Sequence, residues 1–473
     1  MNKFYISCAI PYVNAKPHIG HALEFIQTDL IGRYHRLLGD EVLQLTGGDE
    51  NALKNVQAAE AAGEGVQSFV DKNAQLFFDL TLKLNTRFDV FQKGSDREKH
   101  YASSQKLWEL CAEAGDIYKK SYKGLYCVGC ETFYSPEELN QQGECWEHPG
   151  KKLEEVEEEN YFFRLSKYQD KILQLVESDE YKIIPGKRKN EVLAFVKSGL
   201  QDISISRSNE RAKDWGVPVP NDPAQRIYVW FDALNIYQSG VGFGWDEEMY
   251  QKWWPADLQV IGKGILRFHA VYWIAFLLSA DLKIPKALLV HDYFTVNGQK
   301  MSKTVGNVYD PVPLLDKHGA DPVRYYCLAK ISPFDDGDFS EDKFFEVYNA
   351  DLANNLGNLV SRVAKLGENI GLTVGQTEVS EFDREVVENL DDYRFDLALQ
   401  TIWRWIDSLN KKIDLEKLWE NTVDKQPVLV EIVHEIRKIA FNLRPFLPET
   451  AERIGGQFKG PKISAAQPLF PRI

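Results

Sequence analysis

The chain has 473 residues, a formal net charge of −14 and 44% hydrophobic residues. That length is too great for one hydrophobic core and predicts several domains. The acidic balance excludes a uniformly basic nucleic-acid binder, because phosphate affinity comes largely from Lys and Arg, so any RNA contact is expected on a confined, salt-sensitive face. No segment reaches the roughly 20 apolar residues of a membrane span; the longest, 268–280, contains His269 and stops at Asp281. The six cysteines form no dense framework, which points to a reducing, cytoplasmic setting.

In chain order, residues 3–10 are a β-rich run that meets Pro11-Tyr12. A polar turn follows to Pro17. From His18 to Leu38, Leu23, Ile26, Leu30, Tyr34 and Leu37 recur at steps of three and four, a helical stripe. Gly39-Asp40 ends it and 41–46 resumes as a strand, giving a βαβ unit with an expected right-handed crossover. Gly47-Gly48-Asp49-Glu50 closes that strand with a turn. Residues 52–84 are helical by composition. From about 119 to 161 the chain turns to cysteines, glycines and an acidic run at 154–159, and is expected to be an insertion with the acidic run as a solvated loop. The core pattern returns at 226–232 and 259–261. From 344 to 458 nearly everything is helical, with stripes at Leu352, Leu356, Leu359, Val360, Val363 and Leu366, at Leu397, Ile402, Ile406 and Leu409, and at Ile432, Ile436, Ile439 and Leu443. The expected class is α/β: a doubly wound parallel sheet split by an insertion, then a helical bundle.

Two short motifs carry the chemistry. His18-Ile19-Gly20-His21 opens the first helix, where free backbone N–H groups favour phosphate. The two imidazoles, three residues apart, share a face and supply donors to a reacting phosphorus; Gly20 lets a flat base approach the backbone. Helix capping by two histidines is the alternative. Lys300-Met301-Ser302-Lys303-Thr304 follows Thr295-Val296-Asn297-Gly298, a strand and turn. Two lysines there suit the β- and γ-phosphates of ATP; a solvated basic loop is the alternative. No Gly-Lys pair is followed by Ser or Thr, and no Gly-x-Gly-x-x-Gly follows the first strand. A P-loop and a dinucleotide fingerprint are therefore not available. Cys127-x-x-Cys130 precedes Cys145-x-x-His148 by fourteen intervening residues. Three thiolates and one imidazole suit a tetrahedral, structural Zn2+, against the alternative of reduced structural cysteines. Cys8, Cys111 and Cys327 are expected as buried thiols.

Through these motifs and the residues around them the chain resembles methionyl-tRNA synthetases, a family of class I aminoacyl-tRNA synthetases, over essentially its full length. Ala9-Ile10-Pro11-Tyr12 leads into the His-Ile-Gly-His motif as in that family. Thr46-Gly47-Gly48-Asp49-Glu50 resembles its acidic turn, and Tyr228-Val229-Trp230-Phe231-Asp232-Ala233-Leu234 its methionine-pocket segment. Ile261-Gly262-Lys263 through Phe268-His269 resembles the next pocket strand and helix. The ending Gln467-Pro468-Leu469-Phe470-Pro471-Arg472-Ile473 is family-like but less specific.

The resemblance implies activation of L-methionine with Mg2+-ATP, then transfer to the terminal 3' adenosine of methionine tRNA. It implies catalysis by His18, His21, Lys300 and Lys303, with Gly20 and Ser302 also at ATP. It places Asp49 on the substrate ammonium, and Ile10, Tyr12, Trp230, Ala233, Leu234, Tyr237, Ile265 and His269 around the side chain, where a thioether meets aromatic rings well. Arg207 is implied near the carboxylate or phosphates. Asn358, Arg362 and Trp419 are implied as anticodon readers, by base-edge bonding and stacking. The implied division is 1–116 and 216–295 as Rossmann halves, 117–215 as the zinc-bearing insertion, 296–345 as the signature-loop and stem-contact region, and 346–473 as the anticodon domain. The family pattern has Asp where this chain has Gly264, His-Gly where it has Asn51-Ala52, and a proline where it has Leu418. Two alternatives stay open: a weakened tRNA-binding paralogue, and a synthetase for another apolar amino acid. No further module is legible after the bundle, so a monomer is expected.

Overall fold

The computed structural model describes residues 2–127, 132–134, 138–146, 150–301, 306–376, 379–420 and 422–473. The chain forms two compact units. One comprises Met1–Pro17, His35–Leu82 and Arg87–His291, the other His18–Tyr34, Lys83–Thr86 and Asp292–Ile473.

The first unit is built on a six-stranded, wholly parallel sheet. Its spatial order is Val90–Lys93, Glu41–Gly48, Lys3–Cys8, Leu258–Gly262, Ala287–His291 and Lys182–Ile184. Central strands of such a sheet are covered on both faces and read as apolar runs rather than alternating ones. Tyr5, Ile6 and Cys8 are accordingly all fully buried, as are Val260 and Ile261. The strands are packed closely enough that a Cβ on Gly47 would stand 2.0 Å from the carbonyl oxygen of Gln92. Strand order reverses between Lys3–Cys8 and Leu258–Gly262, and ligands of open α/β sheets bind beyond the carboxyl ends of strands at that switch point. Ile10 and Tyr12 follow the first of these strands, Asp49 follows Glu41–Gly48, and Lys263 follows the second. The expected first helix runs Ile19–Leu37. The expected 52–84 segment is two helices, Leu53–Ala62 and Val66–Lys83, parted at Gly63, whose φ is 68°.

Two expectations are overturned. Gly47-Gly48 do not turn the chain after 41–46 but extend that strand, pairing with Gln92 and Lys93. The acidic run is not a loop but the start of the strand Glu154–Phe163, antiparallel to Ile117–Cys127. Tertiary pairing overrides the poor strand propensity of Glu. Lys123 stands opposite Glu157, Arg211 pairs with Glu154, and alternate residues Val156, Asn160 and Phe162 turn inward, so the strand buries an apolar face and keeps most of its carboxylates towards solvent.

In the second unit, Phe294–Val296 and Gln299–Lys300 form a hairpin whose turn, Asn297-Gly298, has φ of 53° and 74°. Positive φ at both central residues matches strand twist, which is why Asn-Gly is favoured there. Gly337–Phe339 pairs with the first of these strands. Helices dominate from Glu341 onward, and Ile432, Ile436, Ile439 and Leu443 are buried as one stripe of Gln426–Leu443. Among the described residues no helix is long and apolar enough to cross a membrane.

Candidate active site

In the first unit, aromatic side chains gather beyond the sheet's carboxyl edge. Trp230, Ala233 and Leu234 lie on the short helix Val229–Leu234, and Tyr237 on the next turn, Ile236–Ser239. Ile10, Tyr12 and Ile265 pack against the same apolar cluster. Tyr12 meets Trp230 edge-on at 6.2 Å between centroids, and Trp230 stacks on Phe268 at 3.8 Å and 3°. Phe268, next to His269, lies in the segment that the resemblance implied for the pocket but was not among the implied lining residues; its stacking places it in this aromatic cluster. Both begin a π-helical turn, Phe268–Trp273, a widened geometry found often at functional sites. His269 bonds the Ile265 carbonyl through Nδ1 (3.0 Å) and Tyr237 Oη through Nε2 (2.8 Å). The carbonyl only accepts, so Nδ1 carries a proton and donates to it; with a neutral ring Nε2 accepts from the tyrosine hydroxyl. The tyrosine hydroxyl is thereby directed at the ring.

Asp49 is held through its backbone: its N–H donates to the Pro11 carbonyl (2.9 Å), and its carbonyl accepts from Asn55 (2.8 Å). Asn73 donates to the Val13 carbonyl (2.7 Å). These bonds fix the loop after the first strand against the turn after the second. Lys54 Nζ lies 2.9 Å from the Tyr12 ring centroid. Burial pushes the neighbouring Glu50 carboxyl up, against the opposing pull of Ser95 and Lys93. Asn51 turns inward, donating to the Gly94 carbonyl (2.7 Å) and to Asp232 (2.6 Å). Arg207, on Ser206–Ser208, is buried, bonded to Ser204 Oγ (3.0 Å) and the Ser206 carbonyl (2.6 Å), and stacked over Tyr228 at 4.4 Å.

In the second unit, the two signature motifs meet. The Ile19 N–H donates to the Tyr309 carbonyl (3.0 Å). A Cβ on Gly20 would stand 3.2 Å from Met301 Cε and 3.1 Å from the His18 ring. The His18 and His21 rings stack at 3.7 Å. His21 Nδ1 accepts from the His18 N–H (3.1 Å), and His18 Nδ1 from the Gly20 N–H (3.2 Å). Each neutral ring therefore carries its proton on Nε2 and is a donor there. Lys300 ends the hairpin; Ser302 and Lys303 lie outside the described residues. Asp338 anchors that hairpin, accepting from Gly298 N–H (2.7 Å), Thr295 Oγ1 (2.8 Å) and Lys343 Nζ (2.6 Å). Burial works against the Asp338 carboxylate, but these donors together hold its pKa below the ordinary value of 3.8, so the anchor stays charged at neutral pH.

Cys127 and Cys145 come together in the insertion, with Sγ atoms 3.3 Å apart, both buried beside Tyr134. That separation is too long for a disulfide, at about 2 Å, and near the roughly 3.8 Å of two thiolates on one tetrahedral zinc. Cys130 and His148 lie outside the described residues, and among the described ones no group of three or more His, Cys, Asp or Glu is placed to hold a metal. In the bundle, Arg362 bonds Asp414 (2.6 Å) and lies 5.7 Å from the ring of Trp419, which is 52% exposed; Asn358 is exposed one turn earlier on the same helix, Asn358–Asn369.

A family model described as tRNA synthetases class I (M) matches residues 4–364. The methionine–tRNA ligase of Thermotoga maritima is 41% identical over 472 residues, covering 96% of this chain and 74% of that one. That of Brucella suis biovar 1 is 38% identical over 507 residues, covering 99% and 98%. Among solved structures, Mycobacterium tuberculosis methionyl-tRNA synthetase bound by methionyl-adenylate superposes with a TM-score of 0.91 at 36% identity, over 99% of this chain and 100% of the other. The free-state structure of that enzyme gives 0.82 at 33% identity. A parallel sheet with an aromatic pocket at its switch point, two signatures in contact and near full-length relatives of one kind leave a single assignment: the chain belongs to the methionine branch of the class I tRNA synthetases, the methionine–tRNA ligases.

Proposed function

We propose that this chain joins L-methionine to methionine tRNA in two steps. A carboxylate oxygen of methionine attacks the α-phosphorus of Mg2+-ATP, the bond to the β-phosphate bridge breaks, and pyrophosphate leaves. A ribose hydroxyl of the tRNA's terminal adenosine then attacks the carbonyl of methionyl-adenylate, and AMP leaves. Asp49 takes the ammonium group in a charge-assisted bond. Ile10, Tyr12, Trp230, Ala233, Leu234, Tyr237, Ile265 and His269 enclose the thioether, and Arg207 sits by the carboxylate or phosphates. His18 and His21 donate through Nε2 to the phosphates, Gly20 leaves room for the base, and Lys300, Ser302 and Lys303 neutralise the departing pyrophosphate. Positioning and charge stabilisation suffice, without a covalent enzyme intermediate. Asn358, Arg362 and Trp419 read the anticodon.

The reading rests on the approach of the two signature motifs at Gly20–Met301, beside the bond from Ile19 to Tyr309 just beyond the second motif. Exchange of labelled pyrophosphate into ATP, screened across amino acids, is the test. Exchange that depends on methionine and not on leucine or valine is expected. Exchange driven by another amino acid removes the methionine assignment, and tRNA binding without any exchange favours a weakened paralogue.

We further infer that Cys127, Cys130, Cys145 and His148 hold one structural Zn2+, which would cross-link the insertion. The paired Cys127 and Cys145 thiols support it. Metal analysis of the purified chain should find about one zinc per molecule, and Cys127→Ser should abolish it and lower Tm. A metal-free native chain of unchanged Tm would rule the site out. The five cysteines among the described residues are all buried, and Cys127 and Cys145 stand too far apart for a disulfide, in keeping with the reducing, cytoplasmic setting proposed for the chain.

A further inference from the structure

A sealed polar cluster in the first unit centres on Asp232 of the helix Val229–Leu234. Its Oδ1 accepts from His100 Nε2 (2.6 Å) and Ser104 Oγ (2.9 Å), and its Oδ2 from Asn51 Nδ2 (2.6 Å). His100 continues through Nδ1 to Ser239 Oγ (2.8 Å), and Tyr101 Oη reaches Asn51 Oδ1 (3.3 Å). His100, Ser104 and Ser239 are fully buried and Asp232 is 1% exposed. Ser239, His100 and Asp232 thus line up at the spacings of a hydrolytic triad. Its serine is closed to any substrate, so the arrangement holds structure rather than performs hydrolysis.

What it holds is specific. Asp232 shares its short helix with Trp230, Ala233 and Leu234, while Asn51 is two residues from Asp49. One carboxylate therefore ties the turn carrying Asp49 to the helix carrying the aromatic wall, and His100 ties that carboxylate to Ile236–Ser239, where Tyr237 lies. A buried carboxylate is held firmly only while its donors are complete. We propose that His100 is a positioning residue for methionine: it fixes Asp232, and through it the spacing between the ammonium-binding turn and the side-chain wall. This rests on the methionine pocket proposed above.

The test compares His100→Gln with His100→Asn in methionine-dependent pyrophosphate exchange. The Gln amide can reach the place of Nε2 and keep the Asp232 bond; the Asn amide reaches only the place of Nδ1 and keeps Ser239. His100→Asn is expected to raise the methionine KM about tenfold with the ATP KM within about twofold, and His100→Gln to restore most of it. Equal effects of the two variants, or an unchanged methionine KM in folded His100→Asn, overturn the proposal. Should both variants misfold, Ser104→Ala removes one donor with little change of volume and should raise the methionine KM about threefold; no rise there also overturns it. If the unsubstituted chain shows no methionine-dependent exchange, the pocket reading itself has failed, whatever the variants do.

Discussion

Replacing His21 by alanine is expected to lower the exchange rate by about 10²–10³-fold, the usual cost of losing one preorganised donor to a transition state. The reason lies in the tautomer. The His18 N–H occupies His21 Nδ1, so the proton sits on Nε2. His21→Asn keeps an acceptor for that N–H but has no atom at the Nε2 position, and should be nearly as slow as alanine. His21→Gln puts an amide N–H close to that position and should recover about tenfold. Steady-state exchange at saturating methionine and ATP, with circular dichroism to confirm the fold, separates these cases. An alanine variant within a few-fold of the unsubstituted rate would remove His21 from the chemistry.

Replacing Arg324 by methionine should destabilise the second unit by about 3 kcal/mol, the low end of the cost of removing one partner of a buried ion pair, because Asp29 keeps Arg33. Arg324 and Asp29 are both fully buried, with Nη1 and Oδ2 2.7 Å apart. The guanidinium also donates to the carbonyls of Phe446 (2.8 Å), Pro445 (3.0 Å) and Leu84 (3.4 Å). A planar fork can serve this many acceptors at once, whereas a lysine ammonium is a point charge on a flexible stem. Arg324→Lys should therefore recover only part of the loss. Asp29 lies on the helix that begins beside His18 and also takes Arg33 Nε at 2.7 Å. The signature helix is thus pinned to the corner before Pro448–Gln457, and loosening it should slow exchange as well as lower the urea midpoint. A midpoint shift worth less than about 1 kcal/mol would show that the pair contributes little beyond apolar packing.

Legibility followed the range of the interactions. The helix Ile19–Leu37 matched its stripe to within a residue or so at each end, because its apolar face and its Gly39-Asp40 stop are local. The Asn297-Gly298 turn was legible for the same reason: a two-residue hairpin needs positive φ at both positions. The strand Glu154–Phe163 was not, because its stability comes from Ile117–Cys127, some thirty residues away, and not from its own composition. Phe268 was visible only within the pocket segment that the resemblance implied; its stacking on Trp230 joins segments that no periodicity connects. His100 was invisible altogether. A lone histidine at the start of the helix His100–Glu113 carries no pattern that distinguishes it from a capping residue.

By itself, then, the order of residues determined the βαβ opening, the helical region from about residue 344 onward and the functional groups clustered in the two signature motifs and the cysteine pairs, since these follow from periodicity and from short spacing. Only the tertiary structure decided that Gly20 faces Met301, that Arg324 neutralises Asp29, and that Asp232 gathers Asn51, His100 and Ser104. Such pairings join residues up to about three hundred positions apart, and they exist because buried charges and donors must find partners once water is excluded, a demand that arises only when the chain has closed on itself.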